Sequence, residues 1–375
     1  MGNQAEGNLN REGKIGASSQ PFYRPDLSYD DNFNTGPFGP FATASEHRFK
    51  EVGEPTVKVF GQLVHTPFGI PAGPLVNGKF ARAALDLGFN IVTAKTVRGR
   101  EYPCQEWPNV MALQHTGDLT LEQAEEGVLA NHDYGNPLAI TNSFGVPSKA
   151  PEVWQKDLAE TVKYAKKGQL VIGSFQPTTS EGGTRQTFIE DAVKTAKMVA
   201  ETGVKVLEIN LSCPNEGSAH LLCFDVDTSA DMINAIKAEV DLPITVKIAY
   251  FADKGKLKEF VTRVNVDGYT AINTIGTKTV DEKGESAFQH GRVKTGACGA
   301  PIRWAGLEMV AELKKLRTEL GKDYTIVGVG GVTVPEDYQR YRDAGADVVM
   351  SATGAMWNPY LAQEIKKLLP SPSQA

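Results

Sequence analysis

Seven polar residues of this sequence stand at, or just past, the ends of short apolar runs: Lys95, Asn142, Asn210, Cys213, Asn215, Lys247 and Asn273. Taken singly, each asparagine reads as a turn residue and Cys213 as a small packed side chain. Taken together, four amides supply the donors and acceptors that read both polar edges of a flat heterocycle. Two lysines supply positive charge for a carboxylate or a reduced cofactor. Cys213 lies in VLEINLSCPN, Val206 to Asn215, between Ser212 and Pro214. A thiol has a reference pKa of about 8.5, so a thiolate there can accept a proton from carbon if the site favours it.

Residues this far apart in sequence act together only if the fold brings their strand ends to one face. Apolar runs at 69–73, 90–94, 171–175, 206–210, 243–248, 268–273, 325–329 and 347–351 read as eight buried strands. Segments of helical period separate them. Phe80, Ala83, Ala84 and Leu87 share one face, as do Val153, Leu158, Val162 and Ala165 after Pro151. A helix is predicted from Phe188 to Gly203, with a glycine stop. Eight such units predict an α/β fold of the TIM (β/α)8-barrel type, whose ligands bind at the carboxyl ends of the strands. A doubly wound open sheet is the alternative, because closure leaves no mark in sequence.

GVGGV at 328–332 and ATG at 352–354 follow the last two runs, where barrels of this type build phosphate sites from loop amides. Together they favour a phosphorylated ligand. No GxGxxG or GxxxxGK[ST] fingerprint occurs, and the six histidines form no close metal-ligand cluster. No metal site is expected.

A formal charge of -6 and a pI near 5.7 provide no basic field for nucleic acid or anionic lipid. No apolar run reaches the length needed to cross a bilayer. The cysteines Cys104, Cys213, Cys223 and Cys298 are widely spaced, without a CxxC pair or a secretory signal. A reduced, cytoplasmic setting is therefore expected, without an iron–sulfur cluster bound by this chain alone.

Residues 1–55 are rich in Gly, Asn, Ser and Pro without helical or strand period, and read as an extended arm before a barrel domain spanning 56–375. Docking of its Phe and Tyr residues on the body or another subunit, and a disordered tail, are the two readings of the arm. VKVFGQLV, from Val57, reads as a hairpin or capping strand. Residues 98–137 read as a polar insertion: an active-site loop, an attachment surface or an elaborate surface loop. Residues 277–303 read as a polar, glycine-bearing loop, in which GACGAP suggests a turn or tight backbone approach to a ligand. Cys104, Cys223 and Cys298 receive no chemical role.

The assembled motifs resemble the dihydroorotate dehydrogenase family, flavoprotein TIM barrels that bind FMN. The resemblance runs from about Val57 to Leu369, through VTAK at 92–95, NSFG at 142–145, NLSCPN at 210–215, VK at 246–247, NTIG at 273–276, GVGG at 328–331 and ATG at 352–354. It implies that Cys213 is the class 1 catalytic base, where membrane-associated class 2 enzymes use serine. It implies that Asn142, Asn210, Asn215, Asn273 and Thr274 hold the pyrimidine and its carboxylate. Lys95 and Lys247 match lysines that touch FMN, and Gly330, Gly331, Thr353 and Gly354 match its phosphate-binding loops. The implied reaction is oxidation of dihydroorotate to orotate in pyrimidine biosynthesis, with Cys213 taking the C5 proton and the C6 hydride passing to FMN. A homodimer is the implied assembly.

The resemblance leans to class 1A. EGSAHLLCFD after Asn215 lacks the lysine expected in that class, and Lys247 is followed by IAY instead of Leu-Pro-Pro. Class 1B would require an NAD-linked iron–sulfur flavoprotein partner. A dihydropyrimidine dehydrogenase-like flavoenzyme acting on dihydrouracil or dihydrothymine is the neighbouring reading, and Asn215, where that family carries His, disfavours it. A non-catalytic barrel that binds a phosphorylated ligand is the third. The joint presence of Cys213, Lys247 and the asparagines weighs against it.

Overall fold

The computed structural model describes residues 20–134, 138–178, 182–212, 222–288 and 291–369. In chain order, β1 (Val57–Val59) and β2 (Gln62–Val64) pair as an antiparallel hairpin. β3 (Phe68–Ile70) and β4 (Ile91–Thr93) follow, then β5 (Val110–Leu113), β6 (Val128–Asn131) and β7 (Ala139–Asn142). Next come β8 (Leu170–Phe175), β9 (Leu207–Asn210), β10 (Ile244–Ile248) and β11 (Gly268–Ala271). β12 (Ile275–Val280), β13 (Lys294–Gly299), β14 (Thr325–Val329) and β15 (Val348–Met350) complete the set.

β3, β4, β8, β9, β10, β11, β14 and β15 pair in parallel in that order, and β15 closes on β3. These are the eight expected strands, so the architecture is the predicted (β/α)8 barrel and the open-sheet alternative fails on closure. Every residue of β8 and of β10 is buried, as a sheet covered by helices outside and side chains inside requires. The hairpin plugs the amino-terminal end, where Val59, Phe60 and Val64 pack on Ile91, Leu170 and Val206. Burying a ring such as Phe60 stabilises by about 2–3 kcal/mol. Above that apolar floor the barrel interior turns polar, through Thr93, Ser174, Glu208, Thr245 and Thr270, all buried.

The surrounding helices follow their apolar faces. Pro151–Tyr164 starts on its proline and turns Trp154 and Leu158 inward. Arg185–Ala200 starts three residues before the predicted Phe188, because Thr184 caps it by accepting from the Thr187 backbone N–H.

Two expectations are corrected. The insertion at 98–137 and the loop at 277–303 are not irregular: they carry β5, β6, most of β12 and β13, and these close with β7 into a second, small barrel ordered β12-β13-β7-β5-β6. Buried threonines meet across its strands beside aliphatic residues such as Met111 and Val128, with Thr141 and Thr295 hydroxyls 2.5 Å apart and Thr279 3.2 Å from Thr295. Hydroxyls that satisfy one another can be buried, but they read as loop in a hydrophobicity pattern. The alternation in IGTKTV, buried at every second residue, was the available signal.

The described part of the arm follows the docking reading, not that of a disordered tail. From residue 20 it docks on the body, with Phe22, Tyr23, Tyr29 and Phe41 buried and the Phe22 and Phe41 rings stacked at 4.2 Å. Tyr29–Thr35 is a helix capped by Ser28, which sequence period did not reveal.

Candidate active site

The carboxyl ends of the main strands and the end of β7 enclose a cavity with about 880 Å³ of empty space, open solvent at its mouth included. Asn142, Lys247, Asn273, Thr274, Gly330, Gly331 and Thr353 line it. Ile140, Ile272, Ile302, Val329 and Met356 give it apolar walls.

Lys247 points inward from β10, buried, and its Nζ donates to the Ala72 carbonyl at 3.2 Å. Asn210 is the register partner of Lys247 on β9. Its amide donates to Gln176 Oε1 at 2.8 Å, and its Oδ1 accepts from Asn273 Nδ2 at 3.3 Å. Asn273 also donates to the Ser212 carbonyl and hydroxyl, each at 3.1 Å. Asn210, Ser212 and Asn273 thus form one braced unit just past β9 and β11. Cys213 and Asn215 lie outside the described residues.

Asn142 reaches the same cavity by a different route from the one expected. It ends β7, a strand of the small barrel, not of the main one. Its amide donates to Cys298 Sγ at 3.0 Å. The Thr274 hydroxyl is buried and has no hydrogen-bond partner among the described residues, although its side chain lines the cavity. An unmet buried hydroxyl costs about 1–3 kcal/mol, which a ligand group recovers on binding.

Lys95 is the expected residue that departs from this arrangement. It lines a neighbouring pocket with Asn77, Trp154 and Asp157, and its Nζ donates to the Thr96 carbonyl at 3.3 Å.

Next in the strand order after β11, the loops after β14 and β15 meet with no room for side chains. A Cβ on Gly354 would stand 2.3 Å from the Val332 carbonyl oxygen, and one on Gly331, at φ +68, would stand 2.5 Å from Arg303 Cβ. The Ser351 hydroxyl ties the two loops by donating to Val332 O at 2.6 Å. Cationic and amide groups, a glycine cradle and aliphatic walls in one cavity suit a flat, amphipathic, phosphorylated ligand.

Sequence reasoning passed over Cys298 and Tyr23, both of which line the cavity. GACGAP had signalled close approach, and Gly299, at φ +91, turns the chain there. Burial pushes the Cys298 thiol up to about 12, although the Asn142 bond and the charge of Lys247 pull the other way. Cys104 and Cys223 are likewise pushed up to about 12 by burial. None of these three is poised as a thiolate at neutral pH. Among the described residues no group of three potential metal ligands occurs, and no helix is long and apolar enough to cross a membrane.

Fold and cavity together define a (β/α)8-barrel protein with a cavity at its strand ends. The sequence profile of the family described as dihydroorotate dehydrogenase matches residues 129–372. A dihydroorotate dehydrogenase of Dictyostelium discoideum is 32% identical over 361 residues, covering 92% of this chain and 96% of its own. A dihydroorotate dehydrogenase (quinone) of Pseudarthrobacter chlorophenolicus is 28% identical over 83% of each chain. The catalytic subunit of a dihydroorotate dehydrogenase B (NAD(+)) of Thermoplasma acidophilum is 29% identical over 59% of this chain and 67% of its own. The chain belongs to the dihydroorotate dehydrogenase family, and its activity is of that oxidoreductase type. A ligand-free dihydroorotate dehydrogenase structure from Eimeria tenella superposes with a TM-score of 0.68 over 92% of this chain and 93% of its own, at 19% identity, which shows the shared fold.

Proposed function

We propose that this protein oxidises dihydroorotate to orotate, as a class 1-type enzyme with a cysteine base and bound FMN. The observation that carries this reading is the single cavity in which Lys247, Asn142, Asn273 and the unmet Thr274 hydroxyl face the glycine cradle at 330–331 and 353–354. That donor set fits FMN: Lys247 would lie toward its ring, with Gly330, Gly331, Thr353 and Gly354 at its phosphate and Lys95 a further contact. FMN, when bound, supplies the two-electron acceptor chemistry.

The chain's own residues do the rest. Asn142, Asn210, Asn215, Asn273 and Thr274 hold the pyrimidine and its carboxylate, and the bracing of Asn273 by Asn210 and Ser212 fixes their orientation in advance. Cys213 removes the C5 proton as general base. Its presence after Ser212 supports class 1 over the serine-based class 2, with class 1A as the lean. Residues 1–55 form the arm and 56–375 the cofactor-binding domain. We assign a cytoplasmic homodimer, with fumarate, NAD or a quinone as the acceptor to be identified by reoxidation.

The test is to record the visible spectrum of the purified protein and add dihydroorotate, dihydrouracil or dihydrothymine anaerobically. Bleaching by dihydroorotate alone is the expected result. Bleaching by the other two instead moves the assignment to dihydropyrimidines, and a protein that takes up no flavin refutes the enzyme reading.

A further inference from the structure

Glu208 is a carboxylate at the centre of the barrel that the proposed chemistry leaves unused. It is 1% exposed and points inward from β9 two residues before Asn210. Each carboxyl oxygen meets one hydroxyl: Ser174 donates to Oε1 at 3.1 Å and Thr270 to Oε2 at 3.0 Å. Behind these, Thr96 lies 3.0 Å from the Ser174 hydroxyl and Thr245 3.2 Å from that of Thr270. Two pairs of hydroxyls, Thr96 with Ser174 and Thr245 with Thr270, therefore converge on one side chain, and each can direct its protons toward it. That arrangement satisfies an anion, which accepts at both oxygens and donates at neither.

The group that answers this charge is on the next strand. Thr245 of β10 pairs with Glu208 and Lys247 pairs with Asn210, so Lys247 projects into the barrel one layer above the carboxylate. An isolated carboxylate is costly to bury, and two donors with an ammonium above it offset that cost. Burial raises the Glu208 pKa, and the charge of Lys247 with the Thr270 and Ser174 bonds opposes that rise.

We propose that Glu208 is a positioning residue: an ionised carboxylate beneath the cavity floor that acts as counter-charge to Lys247 and so sets the positive potential Lys247 presents to a bound ligand. This rests on the functional reading above only where the ligand is a flavin; the pairing of charges is a property of the chain. With Glu208 neutralised, the field at the cavity floor becomes more positive. A bound flavin would then be easier to reduce, because its reduced ring carries the negative charge, and Lys247 would lose its proton more readily.

Two measurements on the full-length protein test it. In Glu208→Gln, which keeps the side chain's shape, removes its charge and turns one of its two hydrogen bonds round, the reduced-to-oxidised ratio of bound FMN at a fixed poise is expected to rise about tenfold, a shift of about 30 mV for a two-electron couple. In the same variant without flavin, the fraction of Lys247 modified at fixed pH by an amine-directed reagent, read by peptide mass spectrometry, is expected to rise about tenfold, one pKa unit. Glu208→Asp, which restores the charge, should return both readouts toward wild type. If Glu208→Gln does not fold, Thr270→Val, which removes a donor that favours the ionised form and so shifts Glu208 toward its neutral form, should move both in the same direction by less. Unchanged potential and unchanged Lys247 modification would overturn the proposal, as would equal shifts in the Gln and Asp variants. A wild-type protein without flavin would sink the functional reading alone, since the lysine readout stands without it.

Discussion

Asn142 Nδ2 donates to Cys298 Sγ at 3.0 Å, and this bond joins β7 to β13 of the small barrel at the wall of a cavity that the main barrel floors. The thiol in turn donates to the Gly296 carbonyl at 3.4 Å, so Cys298 holds Asn142 in one orientation. Asn142→Ala should lower kcat/KM for dihydroorotate about 10- to 100-fold, the consequence of losing a buried hydrogen-bonding group worth roughly 1–3 kcal/mol. Cys298→Ser keeps both bonds and should stay within about threefold of wild type, with an unchanged pH profile. Steady-state kinetics across pH checks both, and a large loss in Cys298→Ser would give that thiol a chemical role.

Cys213→Ala should retain FMN and slow flavin reduction by about 10²- to 10⁴-fold near neutral pH, the usual contribution of a general base. Anaerobic stopped-flow reduction measures it. An unchanged rate would remove Cys213 from the base role, and loss of flavin would make its part structural.

Alkaline pH should weaken the fold. Cys104, Cys223 and Cys298 are raised from 9.0 to about 12 by burial, so each is held as the neutral thiol in the folded chain while the unfolded chain ionises it. A raised folded pKa contributes stability that is complete below the unfolded value and is lost as pH rises from about 9 toward 12. Urea midpoints should therefore be level from neutral pH to about 8.5 and fall above it. Cys223→Ala, at a fully buried position, should flatten part of that fall. A midpoint that rises over the same interval would contradict the assignment.

Gly354→Ala would place a methyl group 2.3 Å from Val332 O and 2.7 Å from Ser351 Oγ, forcing the loops after β14 and β15 apart. Flavin bound per chain should fall about tenfold or more, an affinity loss of at least about 1.4 kcal/mol. Spectral titration of the apoprotein with FMN, beside its unfolding curve, separates a lost cradle from a lost fold.

Much of this protein follows from local pattern. The eight strands of the main barrel were readable because each is an apolar run long enough to be buried on both faces, with amphipathic segments between them. Asn210, Lys247 and Asn273 could be assigned to one face because (β/α)8 closure puts every strand end there. Tertiary structure alone decided the rest. β13 finds its partner β7 more than 150 residues away, through threonines whose polarity hides their burial, so the small barrel and the placement of Asn142 on it had no local signature. Cys298, given no role from sequence, lines the cavity for the same reason: which cavity a side chain lines depends on strand register and loop path, not on its neighbours in sequence. Glu208 looked like an ordinary charge within a strand, and only closure of the barrel around it surrounded it with hydroxyls and set Lys247 above it.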